Sequence, residues 1–323
     1  MVPRLSIVIP TRNRVEMLGL TLQSHLAQQH TSECEWIVVD NGSTDSTQEL
    51  LSRIASQMRM RVLRVEKAGK SRCLNAAIQV AQGQIIAFTD DDVRVPANWA
   101  SDLLRASCVY PTATVFCGPI IPVFPPEAPP WLQKHHFAGA AFARFMPILQ
   151  EGVWESSDVP LGPNFAVRAD RISGMRFRVD LGPSENSSLL HEDTEFLDRL
   201  RDRGEKFIYI PTAAVWHLIR SELVDVHLLY ERAFNMGRSV IVADRRIVLL
   251  PREWADSTAE SARFTLGSLV NFYLGQCFQL DCYGLGYDQL FGEIAALNWS
   301  SDLDLLSQSA RRWIAADPGP LRP

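Results

Sequence analysis

The chain has 323 residues, 46% of them hydrophobic and 21% charged, a balance that supports a sizeable core and excludes a largely disordered protein. A formal net charge of −5 argues against nucleic acid as the main partner, because neutralising a phosphate backbone needs a basic surface. The six cysteines show no CxxC spacing, which excludes a disulfide-dense scaffold and reads as buried thiols in a reducing cytosol. One large α/β domain with an appendage is the expectation at this length.

Met1 to Arg4 lead straight into an apolar run too short for a signal-peptide core, so secretion is not expected. Residues 5–9, 35–39, 61–65 and 84–89 are β-rich runs closed by polar, Pro or Gly residues, and they predict parallel strands joined by crossover helices. Leu50, Leu51, Ile54 and Met58 recur at helical spacing behind the capping-type residues Ser43, Thr44 and Asp45. A further helix is predicted over 71–82, with Gly83 as its C′ residue. From Pro119 to Pro130 the prolines predict an extended surface excursion that continues neither sheet nor helix. An aromatic stretch (Trp131, Phe137, Phe142, Phe145), a strand at 164–167 and a helix at 191–203 ending at Gly204 follow. Strands at 207–210 and 214–217 precede a region that reads as helical beyond Ser221. The longest uncharged run, 264–280, is shorter than the roughly 20 apolar residues of a spanning helix and contains Ser268, Asn271, Gln276 and Gln279, so no transmembrane helix is expected.

In open α/β sheets ligands bind beyond the carboxyl ends of the strands, so the residues after each run matter most. Pro10, Thr11, Arg12, Asn13 and Arg14 follow the first, and Asp40 to Asp45 end the second. Asp40 is either a turn residue or an acceptor for the N–H groups of a base or for a ribose. Gly69, Lys70 and Arg72 open a helix, with Asn75 one turn on; free N–H groups and cations there suit a diphosphate, and an ordinary polar helix start is the alternative. Asp90, Asp91 and Asp92 directly follow a buried-type run, and three adjacent carboxylates repel unless a cation such as Mg2+ or Mn2+ offsets them. A solvated acidic turn is the rival reading. Asp193 shares a helical face with Phe196, Leu197 and Leu200, whereas Glu192, Glu195 and Arg199 point elsewhere, so Asp193 is a cap or a catalytic base. His217 is a satisfied core histidine or a metal ligand.

Taken together and in this order, residues 6–14, 38–45, 69–77, 88–92 and 162–168, with Glu192, Asp193 and His217, resemble the family-2 glycosyltransferases of GT-A fold. The resemblance implies an α/β nucleotide-diphospho-sugar transferase fold with a mostly parallel central sheet. The catalytic domain would span 1–220, with its nucleotide-sugar part at 1–118 and its acceptor-side part at 119–220, and a helical extension would span 221–323. It further implies inverting transfer from a nucleoside-diphosphate sugar, with a UDP-sugar as first choice, to a glycan, lipid-linked or small-molecule hydroxyl. On that reading Asp193 is the general base, and Mn2+ or Mg2+ is held by Asp92 and His217. Pro10, Thr11, Arg12, Arg14, Asp40, Gly69, Lys70, Arg72, Asn75, Asp90 and Asp91 bind the donor, with Asp40 at the base and Asp90 at the ribose. Asn164 and Glu192 lie on the acceptor side, and the roles of Asp91 and Asp92 are exchangeable. The family often has an arginine just before the asparagine, whereas here Leu74 precedes Asn75 and Arg72 lies earlier.

Single displacement at an anomeric carbon needs a base on the acceptor hydroxyl and charge stabilisation on the leaving diphosphate, and the residue types supply both. Nucleotidyl transfer is the rival enzyme class, without the Gly-rich triphosphate loop it would want. A non-catalytic nucleotide-sugar-binding module is the other rival, and it would not need Asp193 aimed inward. The stretch from Trp131 to Phe145 suggests a mobile wall beside the acceptor. Tyr230 to Arg238 is similar to arginine-plus-glycine segments that follow the catalytic domain in related transferases. Residues 264–280 and a helix over 287–297 pack within the chain, form a homodimer surface or touch a membrane peripherally, the first being favoured. Neither Arg311 with Arg312 nor the Pro-rich end makes a polybasic anchor. A cytoplasmic protein is expected, membrane-associated if those helices dock.

Overall fold

The computed structural model describes residues 2–29, 31–135, 141–147, 150–156, 160, 162–185, 187–244, 246–249, 259–282, 288–297 and 303–315. Two compact units divide the chain, the first formed by 1–123, 143–185 and 192–218, the second by 124–142, 186–191 and 219–323. In chain order the first half carries β1 (Leu5–Thr11), α1 (Val15–Leu26), β2 (Cys34–Asp40), α2 (Thr47–Ile54), β3 (Met60–Arg64), α3 (Lys70–Val80) and β4 (Ile85–Phe88). Next come β5 (Val93–Arg94), α4 (Trp99–Val109), β6 (Val115–Cys117), β7 (Ile120–Val123), α5 (Pro130–Lys134), β8 (Gly152–Val153) and β9 (Phe165–Arg168). The remainder holds α6 (Glu192–Asp202), β10 (Phe207–Tyr209), β11 (Val215–Leu218), α7 (Val226–Asp244), α8 (Ala259–Cys282), α9 (Asp288–Ala296) and α10 (Gln308–Ala315).

The first unit is built on an eight-stranded sheet in the order β3-β2-β1-β4-β9-β6-β10-β8. Strands β3, β2, β1 and β4 run parallel, as do β6 and β10, while β9 and β8 pair antiparallel to their neighbours. Every residue of β1, β2 and β4 is buried, which is why their sequences are near-continuous apolar runs; β3, at the edge, alternates with exposed positions. The register pairs Thr11 with Asp40 and Asp40 with Arg64, so three polar side chains emerge level at one end of the sheet. Phe88 stacks on Phe165 at 5.0 Å and Phe177 on Phe196 at 4.2 Å. Burying each such ring contributes about 1.5–3 kcal/mol.

Several expectations are corrected. The crossover helix expected between the first two strands is α1, whose bounds the sequence leaves open because buried Thr21 and His25 interrupt its apolar stripe. The proline segment does continue a sheet: β7 joins a second sheet, β5-β11-β7, in parallel with β11. Pro122 is accommodated because β7 is an edge strand, where a missing N–H costs no ladder bond. Pro130 opens α5, where its lack of an N–H is likewise harmless. Helix α3 stops at Val80, so Gly83 is not its C′ residue; its N–H donates to Ser6 Oγ at 2.8 Å, and a Cβ there would lie 2.5 Å from the backbone of Ser6. Met58 lies beyond α2. Cys34, Cys73, Cys117 and Cys277 are buried, but Cys108 is exposed, with Arg4 Nη2 at 3.0 Å from its sulfur.

The second unit has its own core, in which α7 packs along α8. Leu229, Tyr230, Phe234 and Ile241 of α7 are buried with Phe264, Phe272, Tyr273 and Leu274 of α8. Asn271 is buried too, donating to Leu305 O at 2.6 Å and accepting Ser307 N–H at 2.7 Å, and Gln276 ties both backbone groups of Val248. The apolar stretch therefore faces its own unit. Arg238 lies over the Phe278 ring at 4.9 Å, placing the Tyr230 to Arg238 segment on α7. The described members of the aromatic stretch join the packing of their own units: Trp131 packs on Phe264 at 5.2 Å and Phe142 on Phe124 at 5.1 Å in the second, and Phe145 on Trp154 at 5.2 Å in the first. Among the described residues no helix is long and apolar enough to cross a membrane. Phe137, Leu161, Tyr287 and the Pro-rich end lie outside the described residues.

Candidate active site

The aspartate turn closes β4 and is held from three sides. Thr21 Oγ1 on α1 donates to Asp91 O at 2.8 Å and accepts Val93 N–H at 3.1 Å. Thr11 Oγ1, at the end of β1 just after Pro10, donates to Asp91 Oδ2 at 2.7 Å. Arg14 Nη1 reaches both Asp91 Oδ1 at 2.8 Å and Asp92 Oδ2 at 3.1 Å, supplying a counter-charge from within the chain. Burial pushes Asp91 up despite Arg14, whereas for Asp92 the pull of His217, Arg14 and Lys70 outweighs burial and holds it below the usual range.

His217 arrives by strand pairing: β11 lies antiparallel to β5, with His217 opposite Val93 and Leu218 N–H on Asp92 O at 2.8 Å. Its Nε2 stands 3.5 Å from Asp92 Oδ1, a buried oxygen without a hydrogen bond. Among the described residues no three acidic, His or Cys side chains are gathered into a ready metal cage. An orphaned carboxylate oxygen facing an imidazole nitrogen nevertheless fits one edge of a site for a divalent cation that takes its other ligands from a diphosphate.

At the neighbouring strand end Asp40 is fully buried. Its Oδ1 accepts Ser43 N–H at 2.9 Å and its Oδ2 accepts Arg64 Nη1 at 2.9 Å and Gln48 Nε2. Asn41 accepts the Gly69 N–H at 2.8 Å and donates to Val65 O at 2.7 Å, fixing the loop before α3. Gly69 has φ 140°, a value that favours glycine.

From that loop Lys70 extends to Asp90 Oδ1 at 2.8 Å and Glu192 Oε1 at 3.2 Å. The first turn of α6 is thereby joined to the aspartate turn. Glu192, expected to point elsewhere, is the buried member of the pair, because it begins the i, i+4, i+8 row of Phe196 and Leu200 and meets Lys70. Burial pushes Glu192 up against the pull of Lys70, while Lys70 is raised because three carboxylates outweigh its burial. Asp193 is half-buried, with Oδ1 accepting Thr194 N–H at 2.8 Å.

Other sequence candidates stand apart. Arg12 is half-buried and pairs with the exposed Glu185 at 3.4 Å. Arg72 lies along Gly69, and Asn75 is tied at both amide atoms to the Phe177 backbone, each at 2.8 Å. Asn164 is fully buried and braces Trp99 Nε1, Pro119 O and Ala213 O. Residues the sequence did not single out are Thr21, Asn41, Gln48 and Arg64; only the charged side chain within the β3 run gave a signal.

Comparison with known proteins supplies the family. Residues 6–180, more than half of the chain, match the model described as glycosyl transferase family 2. The succinoglycan biosynthesis protein ExoM of Rhizobium meliloti (strain 1021) is 27% identical over 209 residues, covering 63% of this chain and 62% of ExoM. Validoxylamine A glucosyltransferase of Streptomyces hygroscopicus subsp. jinggangensis (strain 5008) is 32% identical over 121 residues, 36% of this chain and 28% of that protein. The chain thus spans less than two thirds of the length of these curated relatives. Among solved structures, S. aureus TarS 1–349 gives a TM-score of 0.51 at 16% identity, covering 97% of this chain and 78% of that one. The mannosyltransferase PcManGT of Pyrobaculum calidifontis, in complex with GDP-Man and Mn2+, gives 0.56 at 17% identity, covering 98% and 84%. These structures share the GT-A-like fold, a large mostly parallel sheet with additional C-terminal helices. Fold and sequence model agree, and the protein belongs to glycosyl transferase family 2.

Proposed function

We propose that this glycosyltransferase is inverting and moves a sugar, a hexose as first choice, from a nucleoside-diphosphate donor to a hydroxyl acceptor by single displacement. One observation carries the reading: Lys70 joins Asp90 to Glu192, so the aspartate turn and the Asp193 carboxylate belong to one charged cluster. Asp193 takes the acceptor proton as the acceptor oxygen bonds to the anomeric carbon and the bond to the diphosphate oxygen breaks, which inverts that centre. Asp40 meets the base, with Gln48 and Arg64 giving way, and Asp90 meets the ribose; Lys70 and Arg14 lie beside them as cations for the diphosphate. Asp92 and His217 would hold Mn2+ or Mg2+, which supplies charge stabilisation for the leaving diphosphate. A UDP-sugar is the first donor to test, and a growing glycan the first acceptor, in keeping with the succinoglycan relative. Nucleotidyl transfer is not retained for a member of this family.

Calorimetric titration with UDP, GDP and dTDP, each with and without Mn2+, tests the donor site; metal-dependent binding of one diphosphate is expected, and binding of none in either condition would sink it. Asp193→Asn should keep that binding and lose about 10²- to 10⁴-fold in turnover. Loss of donor affinity instead would refute the base assignment and favour a binding role.

A further inference from the structure

We propose that Gly162 is a positioning residue for the Asp193 carboxylate, an inference that rests on Asp193 being the base. Gly162 is buried, and something must call for a residue without a side chain there. The space does: a Cβ at Gly162 would lie 2.3 Å from Asp193 Oδ2, 3.2 Å from its Cγ and 3.4 Å from Lys70 Nζ. Asp193 Oδ1 is already held by Thr194 N–H at 2.8 Å. The two oxygens are therefore differentiated. One is fixed by the helix start, and the other rests against a bare backbone beside an ammonium group. A side chain at 162 would not unfold the loop, because the atom in its way is the end of a rotatable side chain. It would turn the carboxylate, with Lys70 closing the space on the other side.

A misplacement of about 1 Å in a reacting group can cost ~100-fold in rate. Gly162→Ala, Asp193→Ala and the double variant test the idea by melting temperature and by release of nucleoside diphosphate from UDP-GlcNAc and GDP-Man with Mn2+. Gly162→Ala should lower kcat by about 100-fold with donor KM within about 2-fold. It should lower the melting temperature while Asp193 is present but not in Asp193→Ala, where the added methyl takes the vacated space. The double variant should turn over no more slowly than Asp193→Ala alone. Equal melting shifts in both backgrounds, an unchanged kcat in Gly162→Ala, or a further loss in the double variant would each overturn the assignment. Failure of the base reading shows separately, as full kcat in Asp193→Ala with Gly162 intact.

Discussion

Replacing His25 by glutamine should flatten the acid side of the stability profile. His25 is fully buried on α1, edge-on to Trp36 at 6.4 Å and Trp99 at 5.7 Å. Gln28 Oε1 accepts Ala100 N–H at 2.9 Å, which turns its NH2 toward His25 Nδ1 at 2.7 Å. Nδ1 is thus an acceptor, and a proton there would set two donors face to face. Burial accordingly lowers this imidazole from 6.5 to about 3. The folded value lies below the unfolded one, so the stabilisation is fully present above pH 6.5 and is lost as pH falls from there toward 3. Near pH 5 the unfolded chain has gained a proton that the native ring refuses, a loss of about 2 kcal/mol at 1.36 kcal/mol per pH unit. Urea unfolding followed by tryptophan fluorescence at about pH 7.5 and pH 5 reads it. The wild type should lose about 2 kcal/mol more than His25→Gln between the two, whatever their difference at neutral pH. Parallel profiles would refute the argument. Thr21, which holds the aspartate turn, sits one helical turn earlier, so acid inactivation should track this loss.

Asp92→Ala should remove the effect of Mn2+ on nucleoside diphosphate affinity in calorimetry, and an unchanged metal requirement would count against that ligand. Lys70→Met leaves Asp90 and Glu192 facing each other without a cation and should cost up to about 3 kcal/mol in urea unfolding, with Glu192→Gln in the same chain restoring part of it. An unchanged midpoint in Lys70→Met would show that the ion pairs contribute nothing net.

The strands β1, β2 and β4 were legible because burial on both faces leaves an unbroken apolar run, and the aspartates were legible because they are adjacent in sequence. Pairings across the fold were not. Arg14 meets Asp91 across 77 positions and Arg64 meets Asp40 across 24, joined by sheet register that no local pattern encodes. The orientation of Glu192 was misread because a face counted from Asp193 leaves out the half-buried Lys70 that draws Glu192 inward. Pro122 misled for a related reason: its tolerance depends on lying at a sheet edge, which only the assembled topology defines.

The pairing of α7 with α8 also imposes an order on synthesis. Helix α7 leaves the ribosome first, with Leu229, Tyr230, Phe234 and Ile241 on a face whose partners on α8 have yet to emerge. At roughly 5–20 residues per second, the stretch from Asp244 to Leu280 takes about 2–7 s to appear. Asn271 must then wait longer for Leu305 and Ser307. During that interval the nascent chain carries an apolar face that still lacks its α8 partner, the kind of surface a holding chaperone covers.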